Sequence, residues 1–256
     1  MVDRITFLGT GTSTGIPEIA CDCEVCTSPD QRDKRYRTSA LVEYCGKKVL
    51  IDCGPDFRCQ MVENRVMDID AIIITHEHYD HTGGLDDLRP LFYRSHECPI
   101  YAEEHVVEAI KLRLPYAFRE PRYPGVPYLE MRTIQAGYPI DLGDGVEILP
   151  FTVMHGKLPI LGFKFGGLAY ITDCKTLPRE TKELLKGVDL LVINALRHYD
   201  HAAHLTFEEG IEIIDELKPR QAYLVHFAHT IGRHEEIEKI CPPGVAPAYD
   251  GLTVNF

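Results

Sequence analysis

No stretch of the chain approaches the roughly 18 to 20 uninterrupted apolar residues that a membrane-spanning helix needs. Internal repeats and low-complexity linkers are also missing, which excludes solenoid and array architectures. Basic residues fall short: 27 Lys and Arg stand against 39 Asp and Glu, a formal net charge of −12. That deficit argues against a broad grip on nucleic acid or on an anionic membrane. It leaves room for a small anionic substrate, because bound cations invert the field locally. The opening Met-Val-Asp-Arg runs straight into the strand-like ITFLGTG, without the n-region and h-region of a signal peptide. Nine cysteines, an odd number, do not read as a disulfide framework in a chain of 256 residues. A reducing, cytoplasmic compartment is expected.

With 45% hydrophobic and 26% charged residues, long disorder is excluded and a core of ordinary size can form. We expect one domain over residues 1–256. Apolar runs read as short buried strands at 4–10, 39–44, 47–53, 69–75, 146–153, 161–165, 168–173, 188–194 and 221–227. The clearest helical pattern is 206–218, with Phe207, Ile211, Ile214 and Leu217 on one stripe. Thr206 and Glu209 give it a capping box. Strands cluster early and late with helices between them, which predicts an α/β protein with two sheets covered by helices. The stretch 113–130 has neither periodicity; it reads as a surface excursion, or as a loop over a site or a dimer contact.

The chemistry concentrates in IDAIIITHEHYDHTGG (69–84). An apolar strand delivers His76, His78, Asp80 and His81 into a turn. Residues two apart in extended chain face the same side, so His76 and His78 can share one cation. If a helix follows, Asp80 and His81 lie in its first turn, near that cation. Imidazole and carboxylate suit zinc, manganese or iron, and two groups of donors suit two ions. A second cluster, CDCEVC, places Cys21, Cys23 and Cys26 within six residues. A closed tetrahedral site needs a fourth donor, for which His229 in HFAH is the best candidate.

THEHYDH resembles the HxHxDH motif of the metallo-β-lactamase fold superfamily, and FLGTGTSTGIP and VLIDCG resemble its opening strands. The resemblance implies an αββα sandwich, two mixed sheets flanked by helices, with the metals at one edge. It further implies His155 as the next ligand, Asp173 as a bridging carboxylate and His226 as the last histidine. His76, His78 and His155 would then surround one ion, Asp80, His81 and His226 the other, and Asp52 would support the metal loop. Two ions about 3.5–4 Å apart would hold a bridging hydroxide and clamp a phosphodiester.

CxCxxC combined with HxxH is similar to the phosphoribosyl 1,2-cyclic phosphate phosphodiesterases of the PhnP type. That narrower resemblance implies one structural zinc on Cys21, Cys23, Cys26 and His229 beside a dinuclear manganese or zinc centre. It implies hydrolysis of small cyclic phosphodiesters, including 2′,3′-cyclic nucleotides, and allows a homodimer. Asp80 would orient the attack or accept a proton, and His204 would contact the phosphate or protonate the leaving oxygen. The segment RHYDHAAH (197–204) is richer in histidine than this pattern requires, which leaves His198 and His201 without a role. His96, His105 and His234 have no motif context and read as surface residues. GTGTSTG (9–15) lacks the Lys-Ser/Thr ending of a P-loop and reads as a tight strand exit.

Other readings compete. A tRNA 3′-processing endonuclease of the ribonuclease Z type shares HxHxDH and an HLTFEE-like element. Those enzymes usually carry a long basic arm, and the interval from His155 to Asp173 is too short for one. β-Lactamase, thioesterase or lactonase activity would leave the cysteine cluster unexplained. A non-catalytic metal-binding scaffold would be expected to have lost ligands.

Overall fold

The computed structural model describes residues 2–92, 98–121 and 125–256. The expected apolar runs become strands of two seven-stranded sheets. The first sheet takes β1 (Arg4–Gly9), β2 (Ser39–Tyr44), β3 (Lys47–Ile51), β4 (Ala71–Ile73), β5 (Ile100–Ala102) and β6 (Met131–Thr133). The second takes β7 (Ile140–Asp141), β8 (Glu147–His155), β9 (Leu158–Phe165), β10 (Leu168–Tyr170), β11 (Leu190–Asn194), β12 (Gln221–Val225) and β13 (Val245–Pro247). The last strand, β14 (Thr253–Asn255), returns to the first sheet beside β1.

The two sheets share one plan. Read as β14-β1-β2-β3-β4-β5-β6 and β7-β8-β9-β10-β11-β12-β13, each pairs its first strands antiparallel and its last ones parallel. Parallel neighbours need crossovers, and helices supply most of them. On the first sheet lie α1 (Phe57–Glu63), α2 (Tyr79–Thr82), α3 (Arg89–Phe92), α4 (Glu104–Arg113) and α5 (Pro115–Phe118). On the second lie α6 (Arg179–Leu185), α7 (Phe207–Leu217) and α8 (His234–Ile240). The result is the αββα sandwich.

Strand side chains alternate between faces, and here both faces are covered, so the strands read as continuous apolar runs. Val49, Ile51, Ile73, Phe163, Tyr170 and Val192 meet in the core between the sheets. Leu50, Ile72 and Ile74 turn the other way, under α1 and α4. Ile160, Ala169, Leu191, Ile193 and Leu224 pack with Phe207, Ile214 and Leu217 of α7. Ile211 of the expected stripe is only partly buried against that cluster.

Several boundaries differ from expectation. His155 is the last residue of β8 rather than a residue beyond it, whereas Asp173 lies three residues past β10. Strands β5, β6, β7, β13 and β14 were not visible as patterns, because two or three residues carry too little periodicity. The 113–130 stretch begins with the end of α4 and forms α5; residues 122–124 lie outside the described residues. His234 is no surface residue. It is buried, its amide donates to Asp33 Oδ1 at 2.6 Å, and its Nδ1 meets Arg35 Nη2 at 3.1 Å. His105 is half-exposed near Glu77, and His96 lies outside the described residues. Among the described residues no helix is long and apolar enough to cross a membrane.

The capping box of α7 is present as expected: Glu209 N donates to Thr206 Oγ1 at 3.2 Å, and Thr206 N donates to Glu209 Oε2 at 2.8 Å. Thr206→Ala removes the first of these bonds. It should cost about 1 kcal/mol, read as a lower urea midpoint with an unchanged slope.

Candidate functional site

The first parallel strands end in a buried polar knot. Asp52, the residue after β3, is fully buried with φ of 62°. It accepts from Thr75 N at 2.8 Å, from Thr75 Oγ1 at 2.9 Å and from His81 Nδ1 at 2.6 Å. Because Thr75 Oγ1 spends its proton on Asp52, it accepts from His76 Nδ1, 2.9 Å away. In the neutral form that a metal ligand requires, both imidazoles therefore carry their proton on Nδ1 and leave Nε2 free. Close approach shapes this knot: a Cβ on Gly54 would lie 2.0 Å from Asp80 O, and one on Gly84 2.1 Å from Gly54 O. Only glycine lets these backbones touch.

Asp80 and His81 sit in the first turn of α2, as expected, and His78 is its N-cap residue. His76 Nε2 and His78 Nδ1 are 3.0 Å apart. The second sheet supplies the rest. His155 donates from Nδ1 to Ala203 O at 2.9 Å, which again leaves Nε2 bare. Asp173 and His226 follow β10 and β12 with φ of 53° and 63°, a conformation non-glycine residues rarely adopt. Thr172 Oγ1 donates to Asp173 Oδ1 at 2.6 Å. Asn194 fixes the next residue, accepting from Cys174 N at 2.8 Å and donating to Cys174 O at 3.0 Å.

Asp173 is the meeting point of both sheets. Its oxygens lie 3.3 Å from His81 Nε2, 3.1 Å from His226 Nε2 and 4.0 Å from His76 Nε2. Donor atoms of His76, His78 and His155 fall within 4.8 Å of one another, and so do those of Asp80, His81, Asp173 and His226. His81 Nε2 and His226 Nε2 are buried without hydrogen-bond partners. Burial opposes charge on His81, yet the carboxylates of Asp173, Asp52 and Asp80 push its pKa well above the usual range. Burial likewise disfavours an ionised Asp80, but His81 holds it below the ordinary carboxylate value. The carboxylates that draw a proton to His81 would equally draw a divalent cation in its place, so these imidazole and carboxylate donors fit divalent metal.

His204 borders the same donors. Its Nδ1 is 3.8 Å from Asp173, and its ring centroid is 4.6 Å from that of His155 and 4.8 Å from that of His226. Burial, then the His226 charge, pulls its pKa down to about 3.

The cysteines form a separate group. Cys21 Sγ and Cys23 Sγ both lie 3.3 Å from His229 Nδ1, and Cys26 completes the set within 4.8 Å. The His229 contact lowers the Cys23 pKa to about 6, whereas burial raises Cys26 to about 11. Three sulfurs and one imidazole nitrogen are the donors of a closed zinc site.

Thr75, Thr172 and Asn194 escaped the sequence reading. Asn194 left a signal, a polar residue closing the apolar run LLVI (190–193); the two threonines left none, since threonine is common in strands. Asp52→Asn removes the ionised acceptor for His81 and should weaken divalent binding by ~10–100-fold, measured by metal titration. Cys21→Ser should lose one zinc per chain by elemental analysis and unfold at a lower temperature.

A family model described as the β-lactamase superfamily domain matches residues 47–227. A solved structure described as a new diphosphatase from the PhnP family is 40% identical, covers 100% of this chain and 98% of its own, and superposes with a TM-score of 0.92. The octanoyltransferase of Porphyromonas gingivalis is 44% identical over 97% of this chain; the chain spans about half its length, 51%. A ribonuclease Z of Clostridium kluyveri is 24% identical, covering 89% of this chain and 88% of that protein. Family model and solved relative agree with the site's motifs, and the chain belongs to the β-lactamase superfamily, within its PhnP family.

Proposed function

We propose that residues 1–256 form a single metal-dependent hydrolase domain, a phosphodiesterase for small cyclic phosphodiesters of the phosphoribosyl 1,2-cyclic phosphate or 2′,3′-cyclic nucleotide type. The observation that carries this reading is Asp173, one buried carboxylate within 4.0 Å of bare imidazole nitrogens from both donor groups. In the proposal His76, His78 and His155 would hold one divalent ion and Asp80, His81 and His226 the second, with Asp173 shared between the two donor groups. Manganese or zinc suits these donors. Cys21, Cys23, Cys26 and His229 hold one structural zinc.

When bound, a pair of divalent ions supplies an acidified water and stabilisation of charge on phosphate oxygens. The chain's own residues do the remaining work. Asp80 orients the attacking water and takes up its proton. Thr172 and Asn194 keep Asp173 from turning away. His204 donates a hydrogen bond to the phosphate and serves the departing sugar oxygen. Its neutral state among His155, His226 and Asp173 suits a donor, and the negative charge of an approaching phosphodiester raises its proton affinity.

A small substrate is favoured over tRNA by the connections between His155 and Asp173. Strand β8 turns into β9 through Gly156 and Lys157, and β9 into β10 through Gly166 and Gly167. These tight turns leave no place for a clamping arm there, and the net charge of −12 offers no broad basic surface. The diphosphatase described for a PhnP-family relative supports phosphorus chemistry. The octanoyltransferase name belongs to a protein of which half lies outside the match.

The test is a panel of cyclic and linear phosphodiesters, with precursor tRNA as a parallel arm, on manganese-loaded and zinc-loaded protein. Turnover of a cyclic phosphate is expected, and Asp173→Ala should lower kcat by ~10²-fold or more. Cleavage of precursor tRNA without turnover of any cyclic phosphate would favour the endonuclease.

A further inference from the structure

The segment from Arg197 to His204 is exposed over much of its length, yet it is pinned at every step. Arg197 folds back to donate to Tyr199 O at 3.1 Å and Asp200 O at 3.0 Å, and its guanidinium covers the Tyr199 ring at 4.0 Å. Lys175 Nζ, two residues beyond Asp173, donates to Asp200 Oδ1 at 2.9 Å. The same ammonium donates to Glu209 Oε1 at 2.8 Å, so the segment is clamped to the capping box of α7. His198 Nδ1 meets Glu208 Oε1 at 2.7 Å. At the far end Ala203 O holds His155.

Inside this frame sits His201, partly buried, with its ring centroid 4.8 Å from that of His204. Its Nδ1 accepts from Ala203 N at 3.2 Å. A neutral imidazole that accepts at Nδ1 carries its proton on Nε2. Burial, and then the Arg197 guanidinium, lowers the His201 pKa, so the ring is neutral at neutral pH. A fixed tautomer on a rigid segment is a preorganised hydrogen-bond donor, and here it stands beside the proposed phosphate-contacting His204.

We infer that His201 is a substrate-binding residue whose Nε2–H donates to an anionic phosphate oxygen at the rim of the site. The inference rests on the phosphodiesterase reading and accounts for the surplus of histidine in RHYDHAAH. His198 takes no part, since Glu208 occupies its Nδ1 and Phe207 packs against its ring at 5.3 Å.

The experiment compares wild type, His201→Ala and His201→Gln as manganese-loaded proteins. The probes are 2′,3′-cyclic AMP in steady-state kinetics and inorganic phosphate in calorimetry. Loss of one hydrogen bond to a charged oxygen should raise KM and the phosphate Kd about tenfold in His201→Ala. The loss should fall on KM rather than kcat, with metal content unchanged. His201→Gln, which keeps an N–H at similar reach, should restore most of the affinity. Unchanged KM and Kd in the alanine variant would overturn the inference, and so would loss of metal in parallel with affinity or a glutamine variant no better than alanine. If wild type turned over no phosphodiester, the phosphodiesterase reading would fail. The phosphate titration would still decide whether His201 binds the anion.

Discussion

A carboxylate with no access to solvent, Asp52, governs the geometry of the site. Taking such a group out of water is costly unless each lone pair finds a donor. Thr75 and His81 supply those donors, and through Thr75 the constraint reaches His76. One ionised group thereby sets the tautomer of two imidazoles on a loop of a few residues. Removing one partner of such a buried pair leaves an uncompensated charge, a loss of about 3–5 kcal/mol. The arrangement is stable only as a whole.

The repeated sheet plan explains why the remaining groups arrive at one place. Asp52 leaves β3 and Asp173 leaves β10, the strands at which each sheet changes from antiparallel to parallel pairing. Both adopt positive φ, which turns the chain sharply out of the ladder; the Asp52 carboxylate then holds Thr75 and His81, and that of Asp173 reaches the histidines. Open sheets bind ligands beyond the carboxyl ends of their strands. Here two such ends face each other, and the Asp173 oxygens lie among nitrogens from both.

The cysteine group is joined to this centre through shared backbone. His226 and His229 belong to one turn after β12. Phe227, between them, donates its amide to Thr10 O at 3.0 Å and accepts from Thr12 N at 2.9 Å, so the GTGTSTG turn braces it. The buried Arg35 guanidinium lies 4.4 Å over the Phe227 ring and donates to Thr10 Oγ1 at 2.7 Å and Ala248 O at 2.6 Å. Glu18 approaches from the other side: its amide donates to Cys26 Sγ at 3.3 Å, and its carboxylate lies 3.6 Å from His229 Nε2. Stiffness around the cysteines is thus passed directly to the loop bearing His226.

Much of this could be read along the chain. The histidine and cysteine spacings are local, because donors two to five residues apart must converge whatever the rest of the protein does, and the long apolar runs announced strands buried on both faces. The capping box of α7 was legible for the same reason. Short edge strands such as β7 and β13 were not, since their existence depends on a neighbour already in place. Convergence of His155, Asp173 and His226 on the metal loop could be drawn from family resemblance but not from spacing. The burial of His234 and the pinned frame around His201 came from folding alone. Local chemistry is written in neighbouring residues. Which distant strand ends meet, and which polar atoms then lose water, is settled by the packing of one sheet on the other.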